Sequence, residues 1–288
     1  MRAGWPNAAL SRFVSAGGIR WHVQEAGAGP VLLLLHGTGA ATHSWGGLLP
    51  LLTPHFRVVA PDLPGHGFSS LPGETHLTLP GMAAATAALL RALGVSPHVV
   101  AGHSAGAAIL ARMRLDALIA PAALVSLNGA LLPFEGLPGH IFAPLARVLA
   151  RLSLVPRLFA HGATRPGVVE NLIAKTGSTL DAAAVEHYRL LLQSPRHVAG
   201  VLGMMANWDL AALERDLPRL GAELHLVACA ADLTVPAAVA QRVQALAPLA
   251  GLDLLQGFGH LGHEEDPARF VDLLVSVARS RGVLAAPC

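Results

Sequence analysis

The sequence predicts an α/β fold with a mostly parallel central sheet and helices on both faces. Two observations carry this. Short runs of aliphatic and β-branched residues recur along the chain, each followed by a glycine turn and then a stretch with helical spacing. Several of these runs are apolar throughout instead of alternating, as strands covered on both faces must be. At 288 residues, with 53% hydrophobic and 13% charged residues, the chain can build a large core and does not resemble a disordered segment.

The strands expected from these runs are Ile19 to Glu25, Val31 to Leu35, Phe56 to Ala60, His98 to Ala101, Ala123 to Leu127, Leu224 to Cys229 and Leu252 to Gln256. Three helices have clear signatures. Met82, Leu89, Leu90 and Leu93 share one face, and Gly94 is placed to end that helix. Pro236 opens a second, with Val239, Val243 and Leu246 as its buried stripe. Asp266 and Pro267 are N-cap and first-turn residues for a third, whose Phe270, Leu273, Leu274 and Val277 recur with helical spacing. Between about 130 and 207 the rhythm breaks: six prolines interrupt short helical pieces and no strand is expected. The predicted organisation is a core of residues 1–129 and 208–288 with a helical cap, 130–207, inserted in it.

The net charge of +2 comes with no basic stripe, so a nucleic-acid partner is not expected. Nineteen of the twenty basic residues are Arg, and Lys175 is the only Lys. Cys229 reads as a buried strand residue and Cys288 is terminal, so no disulfide framework is expected. The N-terminal segment lacks the apolar stretch of a signal peptide, and the longest aliphatic run, Val31–Leu35, is far too short to span a bilayer. A cytoplasmic protein is the expectation. His, Cys and carboxylate residues show no metal-ligand spacing, and no Gly-rich phosphate loop occurs, so neither metal nor cofactor is expected.

The strongest chemical signal is Gly102-His103-Ser104-Ala105-Gly106. It matches G-x-S-x-G, follows an expected strand and opens an expected helix, which is the context a nucleophile needs. His36-Gly37-Thr38-Gly39 directly follows the Val31–Leu35 strand. Acyl transfer needs two donors where negative charge develops on the carbonyl oxygen. The backbone N–H groups of Ala105 and Thr38 are the expected pair. Of fifteen histidines, His36, His66 and His103 sit in tight glycine motifs and read as structural. His260, in Gly257-Phe258-Gly259-His260 after the last core strand, is the expected general base, and His263 ranks second. Asp232, following the strand that ends near Cys229, is the expected orienting acid, ahead of Asp209 and Asp253. An alternative role for Asp232 is to cap the helix opened by Pro236. The order Ser…Asp…His differs from those of the chymotrypsin and subtilisin types.

Together these motifs resemble the α/β-hydrolase family over nearly the whole chain. Asp62-Leu63-Pro64-Gly65-His66-Gly67-Phe68-Ser69 is similar to the family's D-x-P-G-x-G-x-S loop, usually structural, and Gly257 to Pro267 to its histidine loop. The resemblance implies Ser104, Asp232 and His260 as a catalytic triad. Four stretches outside it, Trp21 to Gln24, Leu35 to Ala40, Thr42 to Trp45 and Ser126 to Leu131, resemble the magnesium-chelatase accessory family of bacteriochlorophyll biosynthesis (BchO). That implies a setting in tetrapyrrole metabolism of a photosynthetic bacterium, with magnesium-chelatase subunits as partners. A serine hydrolase of ester-type substrates is the first expectation. The alternatives are a general esterase of a small apolar substrate unrelated to tetrapyrroles, and a non-catalytic porphyrin-binding accessory protein. Carbon–carbon cleavage, lyase or perhydrolase chemistry fits the same fold. The apolar residues between Ile141 and Ala160, with Arg147, Arg151 and Arg157, suit a lid over an apolar substrate, contact with an anionic membrane surface, or a cap helix with solvated arginines.

Overall fold

A computed structural model describes residues 4–133 and 154–286. Eight strands form one sheet in the order β1-β2-β4-β3-β5-β6-β7-β8. They are β1 (Ser11–Ala16), β2 (Ile19–Ala26), β3 (Val31–Leu35), β4 (Arg57–Pro61), β5 (Val99–His103), β6 (Ala123–Leu127), β7 (Leu224–Cys229) and β8 (Gly251–Leu255). The pairs β1–β2 and β2–β4 are antiparallel and all others are parallel. All seven expected strands are present. The eighth, β1, has no sequence signature because it is an edge strand without a fully buried residue. Gly17 and Gly18, both at positive φ (57° and 75°), close it onto β2 through a two-residue turn. Only glycine adopts that pair of conformations without strain.

The continuous apolar runs split between two cores. Leu33 and Leu35 of β3 pack with helices Leu79–Leu93 and Ala105–Leu115 on one face. Leu32 and Leu34 pack with helices Leu48–Leu52 and Pro267–Ser280 on the other. That two-sided burial is why β3 cannot alternate.

The expected helix signals act as read. Gly94 ends Leu79–Leu93 with φ 64°, and the Asp266 side chain accepts from the Arg269 N–H at the start of Pro267–Ser280. The stripe assigned to the Pro236 helix needs one correction. Across Ala237–Leu246, Val243 is buried and Val239 half-buried, but Leu246 is exposed, because Ala247 and Ala250 beyond the helix close that side of the core.

Chain order places the site. From β3 the chain moves to β4 on one side of the sheet, whereas β5 lies on the other side of β3. The loops leaving β3 and β5 therefore diverge at their carboxyl ends, and such a switch point is where open α/β sheets hold ligands. Among the described residues from 130 to 207 there is no strand. Helices Leu154–Gly162, Val168–Ala174, Ala182–Leu192 and Pro195–Ala206 lie there. They are tied to this carboxyl edge: Thr176 O accepts from Leu233 N and His260 N, and Ser178 Oγ from Leu261 N. Arg147, Arg151 and Cys288 lie outside the described residues. Arg157, Leu154, Leu158 and Phe159 are exposed. Among the described residues no helix is long and apolar enough to cross a membrane.

Candidate active site

Ser104 stands between β5 and the helix Ala105–Leu115 with φ 52° and ψ −117°, a conformation rare for a residue with a side chain. Such backbone costs on the order of 1–3 kcal/mol and persists only where its surroundings impose it. Here the Ser104 N–H donates to Leu127 O (3.0 Å), and Ser104 O accepts from Ala107 N (3.2 Å) and Ala130 N (3.1 Å). The flanking glycines let the backbones close up. A Cβ on Gly102 would lie 2.4 Å from Ala107 N, and one on Gly106 would lie 2.1 Å from Leu35 O. The serine is half-buried, at the N-terminus of an eleven-residue helix whose first amides carry partial positive charge.

The loop after β3 presses on this turn: a Cβ on Gly37 would sit 3.0 Å from Ser104 Cβ and 3.0 Å from His103 Nδ1. Thr38, the tip of the loop, is exposed, and Ala105 is buried as the first residue of its helix.

His260 and Asp232 meet. His260 Nδ1 lies 2.7 Å from Asp232 Oδ2, with both residues buried. The other carboxylate oxygen, Oδ1, accepts from Thr234 N (2.7 Å) and Val235 N (2.8 Å). The capping alternative for Asp232 therefore holds for the turn that leads into the next helix, while its second oxygen faces the imidazole. The His260 ring is 4.6 Å from the ring of His103, the residue before Ser104. His260 and Ser104 thus flank the same side chain.

The other histidines separate cleanly. His36 Nε2 accepts from Leu63 N (2.9 Å) and its Nδ1 donates to Gly37 O (2.8 Å). His66 Nδ1 lies 3.0 Å from Pro64 O. His103 does more than fill a glycine turn, since its Nε2 donates to the carbonyl of His260 (2.9 Å). His263, ranked second as base, pairs with Ser44 Oγ at 2.8 Å and lies 3.8 Å from Glu264, so no carboxylate is within hydrogen-bond reach of it. Burial, with His260 nearby, lowers its pKa to about 3. Asp209 caps the Ala211 amide and Asp253 pairs with His225 on the outer strand β8, so neither reaches the site. Asp62, in the D-x-P-G-x-G-x-S loop, accepts from Thr42 N, Phe68 N and His22 Nδ1 within 2.8 Å. Burial alone would raise its pKa, but these bonds and the neighbouring histidines bring it to about 2. It is a structural knot, as the sequence implied.

Three groups near the site were not singled out by the sequence for a role there. Asn128, at φ 46° after β6, donates from Nδ2 to Gly259 O (3.1 Å) and His260 O (2.9 Å), and its Oδ1 accepts from Cys229 N (2.8 Å). A polar residue ending a buried strand at the sheet's carboxyl edge was the available signal. Glu264 Oε1 accepts from Tyr188 Oη (2.5 Å) and Ser44 Oγ (2.6 Å). Burial pushes the Glu264 carboxyl up to about 7 despite those bonds. His197 joins two loops and had no sequence signal, because its partners are backbone atoms far along the chain. Among the described residues no group of three or more His, Cys, Asp or Glu could hold a metal ion.

The model of the alpha/beta hydrolase family matches residues 32–273. The chain is 41% identical over 265 residues to the magnesium-chelatase 30 kDa subunit of Rhodobacter capsulatus, covering 91% of this chain and 92% of that protein. It is 30% identical over 282 residues to a pimeloyl-[acyl-carrier protein] methyl ester esterase of Xanthomonas oryzae pv. oryzae, covering 88% and 98%. Among solved structures, an alpha/beta hydrolase fold protein from Burkholderia ambifaria superimposes with a TM-score of 0.78 at 23% identity, over 93% of this chain and 97% of that one. The sheet order and these matches agree: the chain belongs to the alpha/beta hydrolase family and, within it, to the family of the magnesium-chelatase 30 kDa subunit.

Proposed function

We propose that the protein is a serine hydrolase of ester-type substrates that acts in tetrapyrrole metabolism beside magnesium chelatase. The observation that carries the chemistry is the buried His260–Asp232 pair at 2.7 Å, set beside the strained Ser104 turn. The carboxylate accepts from Nδ1–H, which leaves Nε2 free of its proton and able to act as the base. Ser104 Oγ attacks the ester carbonyl as Nε2 removes its proton. The N–H groups of Thr38 and Ala105 receive the charge on the carbonyl oxygen. The imidazolium, held by Asp232, protonates the leaving alcohol. Water then cleaves the acyl-enzyme with the same histidine as base. The exposed apolar residues Leu154, Leu158 and Phe159 on the helix Leu154–Gly162 support an apolar acid or alcohol, a tetrapyrrole ester among them.

The setting rests on the 41% identity to a protein named as a magnesium-chelatase subunit. The same identity favours a second reading, in which the protein docks on the chelatase or binds porphyrin and turns over nothing. Labelling of the folded protein with a fluorophosphonate separates the two. Label should enter wild type and be absent from Ser104→Ala. His260→Ala should lower its rate by roughly 10³-fold or more, the scale of removing a triad member. A folded wild type that takes no label sinks the hydrolase reading. Porphyrin or chelatase binding that is unchanged in Ser104→Ala then supports the accessory one.

A further inference from the structure

Helix Pro195–Ala206 is seated directly on the loop after β4. A Cβ on Gly200 would lie 2.2 Å from Gly65 O, so the two backbones touch with no side chain between them. Arg196 donates to Gly67 O (2.6 Å) and to Ser69 O. Beside this contact, His197 is wholly buried and bridges two loops. Its Nδ1 lies 3.1 Å from Gly67 N, and its Nε2 lies 3.2 Å from Gly39 O. An amide N–H can only donate and a carbonyl only accept, so the ring is fixed as the neutral Nε2–H tautomer. Burial, with His66 nearby, holds its pKa well below 6.5 and keeps that tautomer in place.

Gly39 belongs to the loop that presses on Ser104. There Gly39 has φ +81°, and Ala40 N donates to Gly37 O (3.2 Å), closing a turn with Thr38 and Gly39 at its centre. Peptide units are planar and trans. Holding Gly39 C=O therefore aims the N–H of Ala40 at Gly37 O, and holding Gly37 C=O aims the N–H of Thr38. Two peptide planes and one hydrogen bond connect the His197 ring to the Thr38 amide. Thr38 Oγ1 also donates to Met204 Sδ on the same helix (3.6 Å).

We propose that His197 is a positioning residue: it fastens the Gly37–Ala40 turn, whose Gly37 carbonyl His36 Nδ1 also holds (2.8 Å), to helix Pro195–Ala206, so that the Thr38 amide is held firmly toward the Ser104 turn when that helix is seated. The inference rests on the hydrolase reading for its catalytic consequence, but the fastening itself can be measured without turnover.

The test compares wild type with His197→Ala, His197→Gln and Gly200→Ala. Glutamine's amide carries a donor and an acceptor across one carbon, as imidazole does. Gly200→Ala lifts the helix without touching His197, and reads the same coupling if His197→Ala fails to fold. Three quantities are read: hydrogen exchange of residues 36–41, the rate of fluorophosphonate labelling, and kcat and KM for p-nitrophenyl butyrate. In His197→Ala and Gly200→Ala, exchange of 36–41 should quicken by about tenfold while that of helix Ala105–Leu115 stays unchanged. Labelling and kcat should fall roughly tenfold to 10²-fold, short of the 10²–10³ for loss of a whole oxyanion donor, with KM nearly constant. His197→Gln should recover both. Unchanged exchange at 36–41 in both disrupting variants overturns the proposal. A loosened loop with wild-type labelling overturns its catalytic half. If wild type itself takes no label, the hydrolase reading fails, and the exchange result alone decides whether His197 holds the loop.

Discussion

Acid should unfold this protein at a mild pH, and the buried histidines set how mild. His43, His66, His103, His197 and His263 are buried, and burial holds their pKa at about 3 (His66, His263) or well below the ordinary 6.5 (His43, His103, His197). The native state keeps them neutral while the unfolded chain protonates them at 6.5. Unfolding therefore takes up protons below that pH, and stability falls as pH drops through 6.5. One pH unit below, each histidine costs about 1.4 kcal/mol, and five cost about 7 kcal/mol. Glu264 opposes them. Its carboxyl is raised to about 7 from 4.5, so its contribution grows as pH falls through 7. By pH 5.5 that returns about 2 kcal/mol. The net loss of about 5 kcal/mol between pH 8 and pH 5.5 matches the lower end of the usual total stability. Urea unfolding followed by circular dichroism at pH 8, 7, 6 and 5.5 measures it. His66→Gln should remove about 1.4 kcal/mol of the loss. Stability at pH 5.5 within about 1 kcal/mol of that at pH 8 would refute the reasoning, because the linkage then has to be carried by protonated histidines inside the fold.

Other perturbations separate the parts of the site. Gly106→Ala places a Cβ 2.1 Å from Leu35 O and should cost about 3 kcal/mol, with labelling of Ser104 lost even where the variant remains folded; a thermal melt and a label count check it. Asn128→Ala removes two hydrogen bonds that hold the His260 loop and one from Cys229 N at the end of β7, and strains a residue at φ 46°. It should lower stability by about 3 kcal/mol, and Asn128→Gly should regain the strain share of about 1 kcal/mol; equal losses in the two would remove the strain argument. Asp232→Asn keeps the size of the side chain but not its acceptor pair, and should slow fluorophosphonate labelling by roughly 10⁴-fold; a rate within tenfold of wild type would mean that Asp232 does not orient the base. Glu264→Gln should gain about 2 kcal/mol on wild type between pH 5.5 and pH 8, since it never ionises; denaturant midpoints at the two pH values give the answer.

Strand-level structure was legible because burial on both faces leaves an unbroken apolar run. Val31–Leu35 could be read with no alternation to guide it, and β3 indeed divides its side chains between two cores. The same logic explains why β1 escaped: Ser11–Ala16 is an edge strand whose hairpin is made by Gly17 and Gly18, and half-exposed residues carry no pattern. Leu246 was misplaced because helical spacing identifies a face without saying where the neighbouring core ends.

Site residues were legible where a local backbone shape demands particular amino acids, and illegible where the demand comes from elsewhere in the chain. The Ser104 turn announces itself because β3, β5 and the following helix approach too closely for any residue but glycine at 102 and 106. His197, Asn128 and Glu264 answer to partners more than seventy residues away: Gly39 and Gly67, Gly259 and His260, Ser44 and Tyr188. Two of the four stretches that carried the narrower resemblance, Thr42 to Trp45 and Ser126 to Leu131, hold such residues. Ser44 reaches the His263–Glu264 pair and Asn128 reaches the carbonyl of His260. Polar atoms of these two stretches therefore reach the loop of the candidate base, whereas His22 and Gln24 of the Trp21 to Gln24 stretch bond instead to Asp62 and to Pro6 and Ser11. Each of these buried donors and acceptors is costly to leave unmade, so together they fix the shape of the His260 loop whether or not Ser104 turns over.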